Sequence, residues 1–443
     1  MNHRPWKRIA MLALFASAAL AQLCAQRKIG VDEAVALAIA NNESLKMSAI
    51  SLEAKRRALG LAWNELLPSL SASAGLGSSR MSYENDFEAL DASSLAAKGS
   101  LTASLSLSPA LGESRKSLRL DLESELIAYD VARAKLELQV RKKAYAILLD
   151  KENLATSRQN IERQAQSYAQ TEERYKAGLA SELDLLSAKV SLAQLGPTAD
   201  AYANVLANDL DSLKNTIGIG PDEELSVDGG LDLAVEAVAK LLSDAKAAKS
   251  SDNRDVAAAA KARELASSTK KALELSKLWP SLSLSASVAP SDPLAYSGTS
   301  SSAKSLTTTA SAMVSIDLDN LVPGSSARES IAQAQDGIDK YEIAYRAAVK
   351  DAEVSRKSYS RSVESYGASL KALKLNAELA GQSYDASMKA YKNGLLTLTV
   401  LQSAAGDLES AKLGALSKSY DLIAAALDLA YETGLPLDSI GKE

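Results

Sequence analysis

Beyond residue 24 the chain has no cysteine and no histidine; the single copies are Cys24 and His3. The body therefore lacks thiolate and imidazole, which excludes zinc sites, cysteine nucleophiles, Ser-His-Asp triads and internal disulfides. Long apolar runs are missing too. After the N-terminal stretch none reaches the roughly 18 residues that a membrane-crossing helix needs, so any spanning element would have to be built from strands. Positive charge does not predominate: 50 Lys and Arg stand against 55 Asp and Glu, a formal net of −5, which disfavours nucleic acid as a partner. The remaining Asp, Glu, Lys and Tyr residues form no cluster recognisable as a catalytic, cofactor or metal site, and neither enzyme activity nor a cofactor is expected.

The first residues have the character of an export signal. Arg4, Lys7 and Arg8 precede an apolar run from Ile9 to Leu20 that ends in Ala19-Leu20-Ala21, so residues 1–21 are expected to be a signal peptide cleaved after Ala21. Its removal takes away three positive charges and no negative ones, moving the net from −5 to about −8. Cys24 raises the question of a lipid anchor, but Leu23 before it is a poor fit to the small residue wanted there.

An internal duplication organises the rest. RYKAGLASELDLLSA at Arg174 to Ala188 recurs as AYKNGLLTLTVLQSA at Ala390 to Ala404, and LLPSLSASA from Leu66 recurs as LWPSLSLSA from Leu278. The offsets, 216 and 212 positions, agree within four residues, as a duplication requires. In the first pair, Lys-x-Gly closes a helix on Gly178 or Gly394. Ser181 or Thr397 then stands where an N-cap is wanted, and an apolar helical pattern restarts. Each is the reversal point of a helical hairpin.

Past Pro68 the period becomes two. Leu70, Ala72, Ala74 and Leu76 alternate with small polar residues, and Leu101, Ala103, Leu105 and Leu107 follow after a polar link, 78–100. Leu282, Leu284, Ala286 and Val288, then Thr308, Ala310, Ala312, Val314, Ile316 and Leu318, repeat the design. Strands apolar on one face and hydroxylated on the other match the signature of a transmembrane β-barrel. Four such strands cannot close a barrel, whose smallest outer-membrane examples have about eight, so it must be shared between chains.

Gly112 to Lys176 and Ser325 to Lys392 are free of proline and predict two very long helices. In the second, Ile331, Ile338, Tyr345, Ala352, Tyr359, Tyr366, Leu373 and Ala380 form a seven-residue row that indicates coiled-coil packing. Shorter helices are expected over Val31 to Glu65, Glu182 to Ile217, Arg254 to Lys277 and Thr397 to Glu432, with a kink at Gly196-Pro197 and an irregular link over Gly218 to Asn253 that holds a short helical pattern near Leu233 to Leu242. The expected plan is a mainly α chain with a small membrane β portion. Its parts are a signal peptide (1–21), a first repeat (22–225; hairpin 69–108, tip 176–181), a second repeat (226–436; hairpin 281–318, tip 392–397) and a tail (437–443).

A signal peptide, two copies of helix, β-hairpin and long helical hairpin, and Tyr-Lys-x-Gly-Leu tips together resemble the TolC family of outer-membrane efflux proteins, over about residues 28–436. The resemblance implies a homotrimer with most of its mass in the periplasm, in which three chains share a β-barrel and a helical tunnel. It further implies an adaptor protein and an inner-membrane transporter as partners, in efflux or type I secretion. Contact with the adaptor is implied for Ala177, Gly178, Leu179, Ala180, Asn393 and Gly394. In the family a ring of carboxylates commonly narrows the tunnel mouth six and nine residues after the second tip glycine, where this chain has Val400 and Ser403. The first tip keeps Asp184 at the six-residue position, and Leu396 stands where relatives can carry a basic residue. An apolar constriction from Leu395, Leu396, Val400 and Leu401 is the physical alternative to a carboxylate gate. The competing reading of the whole chain is a periplasmic coiled-coil scaffold without a pore, which leaves the two Ser/Leu hairpins unexplained.

Overall fold

Two series of helix, β-hairpin and long helical hairpin succeed one another, as the duplicated sequence requires. The computed structural model describes residues 27–85, 88–231, 235–249, 252–297 and 304–437; the expected signal peptide, Cys24 and all but the first residue of the tail lie outside them. After β1 (Arg27–Gly30), the first series is α1 (Val31–Asn41), α2 (Glu43–Gly60), a 3-10 turn (Leu61–Leu66), β2 (Ser69–Asn85), β3 (Glu88–Leu107), α3 (Leu111–Lys176) and α4 (Glu182–Ile217). β4 (Leu225–Asp228) and α5 (Val235–Ala247) lead to the second series: α6 (Arg254–Leu278), β5 (Ser281–Ser297), β6 (Ser305–Ser315), a 3-10 turn (Leu318–Leu321), α7 (Ser326–Lys392) and α8 (Leu398–Glu432). Among the described residues no helix is long and apolar enough to cross a membrane.

The chain divides into two units, one of them formed by residues 50–128 and 258–347. Its centre is a four-stranded antiparallel sheet in the order β2-β3-β5-β6. The alternation fixes the register, because a slip of one residue would exchange the faces. Leu70, Ala103, Ala286 and Ala310 form one row across the strands, and Leu105, Leu284 and Ala312 form another. On the opposite face Ser69, Ser104, Ser285 and Ser311 align; Ser69 and Ser104 share a hydroxyl bond of 2.7 Å, as do Ser285 and Ser311. The link over 78–100 is not a loop: pairing continues from Ser69–Ser104 out to Asn85–Glu88. Main-chain hydrogen bonds carry the ladder through residues whose side chains have lost the period-two pattern. In the helices of this unit ion pairs recur, Lys55–Asp121 at 2.7 Å, Lys261–Glu123 at 3.0 Å and Arg263–Glu342 at 2.6 Å among them. Exposed pairs of this kind each contribute little.

The other unit comprises residues up to 49, 129–257 and from 348 onward. Ala34, Val35 and Ala38 of α1, Val140, Ala144, Ile147 and Leu148 of α3, Leu213 and Ile217 of α4, and Ile423, Leu427 and Ala430 of α8 share its main core. Burying such side chains is the dominant stabilising term. Two features depart from the sequence reading. β1 and β4 pair in parallel, Arg27–Leu225 through Gly30–Asp228, and set Ile29 and Val227 into this core, so the link over 218–253 carries a strand besides the expected short helix. The expected first helix is also broken at Asn42, whose Oδ1 accepts from the Leu45 amide at 3.0 Å while its Nδ2 donates to the Thr216 carbonyl at 2.9 Å. α4 keeps Pro197, the position of the expected kink, inside one continuous helix. The seven-residue row of α7 lies on its packed side, since all eight positions are buried or half-buried.

Candidate functional site at the helical tips

Both hairpin tips are built in the same way. At the first, Gly178 takes φ +72°, its amide donates to the Tyr175 carbonyl at 2.9 Å, and the Leu179 amide reaches back to the Arg174 carbonyl at 2.8 Å. At the second, Gly394 takes φ +73°, with bonds from Gly394 to Tyr391 at 3.0 Å and from Leu395 to Ala390 at 2.9 Å. This double bond is the Schellman ending, and its left-handed residue is why Lys-x-Gly terminates both α3 and α7. The residue after each glycine is turned out: Leu179 is 69% exposed and Leu395 79%.

The restarts differ. Ser181 caps α4: its Oγ accepts from the Asp184 amide at 3.1 Å, while its own amide and hydroxyl donate to Asp184 Oδ2 at 3.1 and 2.7 Å. Asp184 is thus the third residue of a capping box, a structural task already occupying the carboxylate considered for the gate. On α8 the cap position is Thr397, whose side chain makes no capping bond, and Val400 stands where an acid would complete the box.

Behind the tips, Tyr384, Tyr391, Leu398, Leu401, Ala405 and Leu408 form a small core with Ala188 of α4, and Leu396 packs against it half-buried. Leu401 is 1% exposed, which removes it from the expected constriction: its first-turn position points it into the hairpin's own core. Leu395, Val400 and Ser403 are exposed, as are Ala177, Gly178, Asn393 and Gly394; Ala180 and Asp184 are half-buried.

Two features of the site were not singled out by the sequence. Arg174 stacks over the Tyr391 ring at 4.8 Å and donates to the Tyr391 carbonyl and, at 3.5 Å, to the Leu179 carbonyl. A basic residue therefore does join the tips, but from the end of α3 rather than from position 396. Nearby, Thr171 Oγ1 and the Tyr391 hydroxyl share a buried hydrogen bond of 2.8 Å. The second feature is an exposed apolar stripe on α4, Leu183, Leu186 and Val190, whose three-and-four spacing was present in the sequence.

The arrangement holds no reacting groups in a pocket; it is a rigid pair of turns that presents leucines. Residues 34–218 match the family model described as outer membrane efflux protein. Over this segment the chain resembles outer membrane efflux proteins. The proteins that this match and the fold point to are outer-membrane efflux channels. Solved structures share the fold over both repeats. CusC is similar at TM-score 0.75 with 14% identity, over 92% of this chain and 92% of CusC. VceC of Vibrio cholerae matches at 0.72 with 14% identity over 92% and 96% of the two chains. The open-state channel MtrE of Neisseria gonorrhoeae matches at 0.70 with 18% identity over 93% and 91%. No curated protein sequence matches significantly.

Proposed function

We propose that three copies of this chain assemble into one duct, each adding four strands to a twelve-stranded barrel and its helices to a periplasmic tunnel. Substrate enters at the helical tips from an inner-membrane transporter and a periplasmic adaptor, as in a tripartite efflux or type I secretion system. The chain acts as a conduit and not as an enzyme. The observation that carries this reading is the sheet β2-β3-β5-β6: it ends in two open edges, β2 and β6, and every residue of β6 is exposed. In lipid an unpaired backbone group costs several kcal/mol, so β2 of one copy must pair with β6 of the next until the ring closes. Within the assembly Ala177 to Ala180 and Asn393 to Gly394 meet the adaptor, and Leu395, Leu396 and Val400 narrow the mouth as an apolar constriction.

Mass measurement of the folded protein in mild detergent tests the assembly. A complex of three chains is expected. A stable folded monomer would contradict the shared barrel and favour a scaffold without a pore.

A further inference from the structure

Between the residues it gives to the main core and its tip, α3 buries a polar row where a coiled coil is ordinarily apolar. Ser157, Asn160, Gln164, Ser167 and Thr171 follow one another at alternating spacings of three and four, the a and d spacing of a heptad, and each is more than nine-tenths buried. Thr171 is satisfied by the Tyr391 hydroxyl, and Asn160 Nδ2 donates to Glu409 Oε2 of α8 at 2.5 Å. Ser157 Oγ, Asn160 Oδ1 and Ser167 Oγ have no partner in the protein. Buried polar atoms are rarely left bare, so something other than this chain's own side chains completes the seam.

The demand is strongest at Arg163, one turn from both Asn160 and Ser167 on α3. Its guanidinium stands 5.9 Å from the centre of the Tyr384 ring, and its Nε and Nη2 are buried without a partner. Those two donors form the side-on edge of the fork with which arginine grips an anion. Lys412 of α8, one turn after Glu409, makes no hydrogen bond or ion pair among the described residues. Burial, together with the Arg163 charge, holds its ammonium below the ordinary range, so the two cations are close neighbours. Glu409 is their carboxylate, but it is committed to Asn160, and burial pushes its carboxyl up in spite of Arg163. Asp385 of α7 and Asp407 of α8 are exposed. Two cations and one carboxylate leave a surplus positive charge, and a charge inside a protein persists only when it is paired. Water would supply an acceptor without the charge. We propose that Arg163 and Lys412, with the bare hydroxyls of the α3 seam, form an internal site for one small monovalent anion of the halide class. The ion ties α3 to α8 behind the tips. The site lies within a single chain, so it stands or falls separately from the shared barrel.

The test uses bromide as the probe. The full protein is crystallised from detergent with sodium bromide as its only salt, and bromine is located by anomalous scattering. In parallel, the thermal midpoint of the detergent-solubilised protein is followed as bromide replaces gluconate at fixed ionic strength. One anomalous peak per chain is expected within hydrogen-bond reach of Arg163 Nε and Nη2, with a saturable rise in midpoint of about 5 °C. Arg163→Gln should abolish both, and Lys412→Gln should raise the bromide concentration needed for half-saturation about tenfold. Glu409→Gln should lower that concentration, because it removes the competing negative charge. An Arg163 fork closed on Glu409 or on water, with no bromide beside it, would overturn the site. Bromide peaks confined to the protein surface, or midpoints equal in bromide and gluconate, would overturn it as well.

Discussion

At the first tip the Asp184 carboxylate accepts from the Ser181 amide and hydroxyl, so removing it takes away a helix cap before it alters any gate. Asp184→Ala is expected to cost about 1 kcal/mol at the start of α4 and to leave conductance and cation preference unchanged. Val400→Asp should do the opposite. It places an acid three residues after Thr397, completing the missing box, and it wets an apolar narrowing, so conductance should rise. Bilayer recordings of both variants decide the matter: if Asp184→Ala changes cation preference while Val400→Asp does nothing, the gate is acidic and sits on α4. A second carboxylate makes a pH prediction. Burial, reinforced by a hydrogen bond with Asp209 and by its charge, pushes Asp150 up to about 6. A raised carboxyl lends stability that is complete below the ordinary carboxylate range and is lost as pH rises through about 6. Asp150→Asn should therefore be the more heat-resistant protein at about pH 7.5 and lose that advantage at about pH 4. Thermal midpoints that differ equally at both pH values would contradict this assignment.

Among the elements, the strands make the sharpest claim. Leu105 and Leu284 stand opposite each other on the apolar face, while Ser106 and Ser283 pair on the hydroxylated one. Leu284→Arg should cost about 2 to 4 kcal/mol if the residue lies at the bilayer midplane, and Ser283→Arg much less. Equal tolerance of both in a membrane-assembly assay would mean that the faces are reversed or that the sheet does not meet lipid. How much could be read from residues alone varies with the range of the interaction. α4 was placed at its observed ends and α3 within one residue, because Gly178, Ser181 and Gly218 punctuate the chain locally. The β1–β4 ladder was missed, since four residues near residue 27 find their partners near residue 225 and neither stretch announces the other. Strand lengths were underestimated beyond Gly77 and before Ser100, where alternation fails but the main chain continues to pair. For Leu401 the spacing gives a helix face without saying which face meets the core, and the structure buries it.

The whole molecule combines long helices, which bury one side in coiled-coil fashion, with a sheet that cannot complete itself. Arg174, Thr171 and Tyr391 tie the ends of α3 and α7 together within one chain. The sheet ends in the edges β2 and β6, which in the proposed duct pair between copies. The most direct measurement is single-channel conductance of the purified protein in planar lipid bilayers. A closed barrel joined to a tunnel should give discrete, reproducible conductance steps, with a unit step that scales with salt concentration. Protein that enters the bilayer in folded form yet gives no steps would contradict the duct.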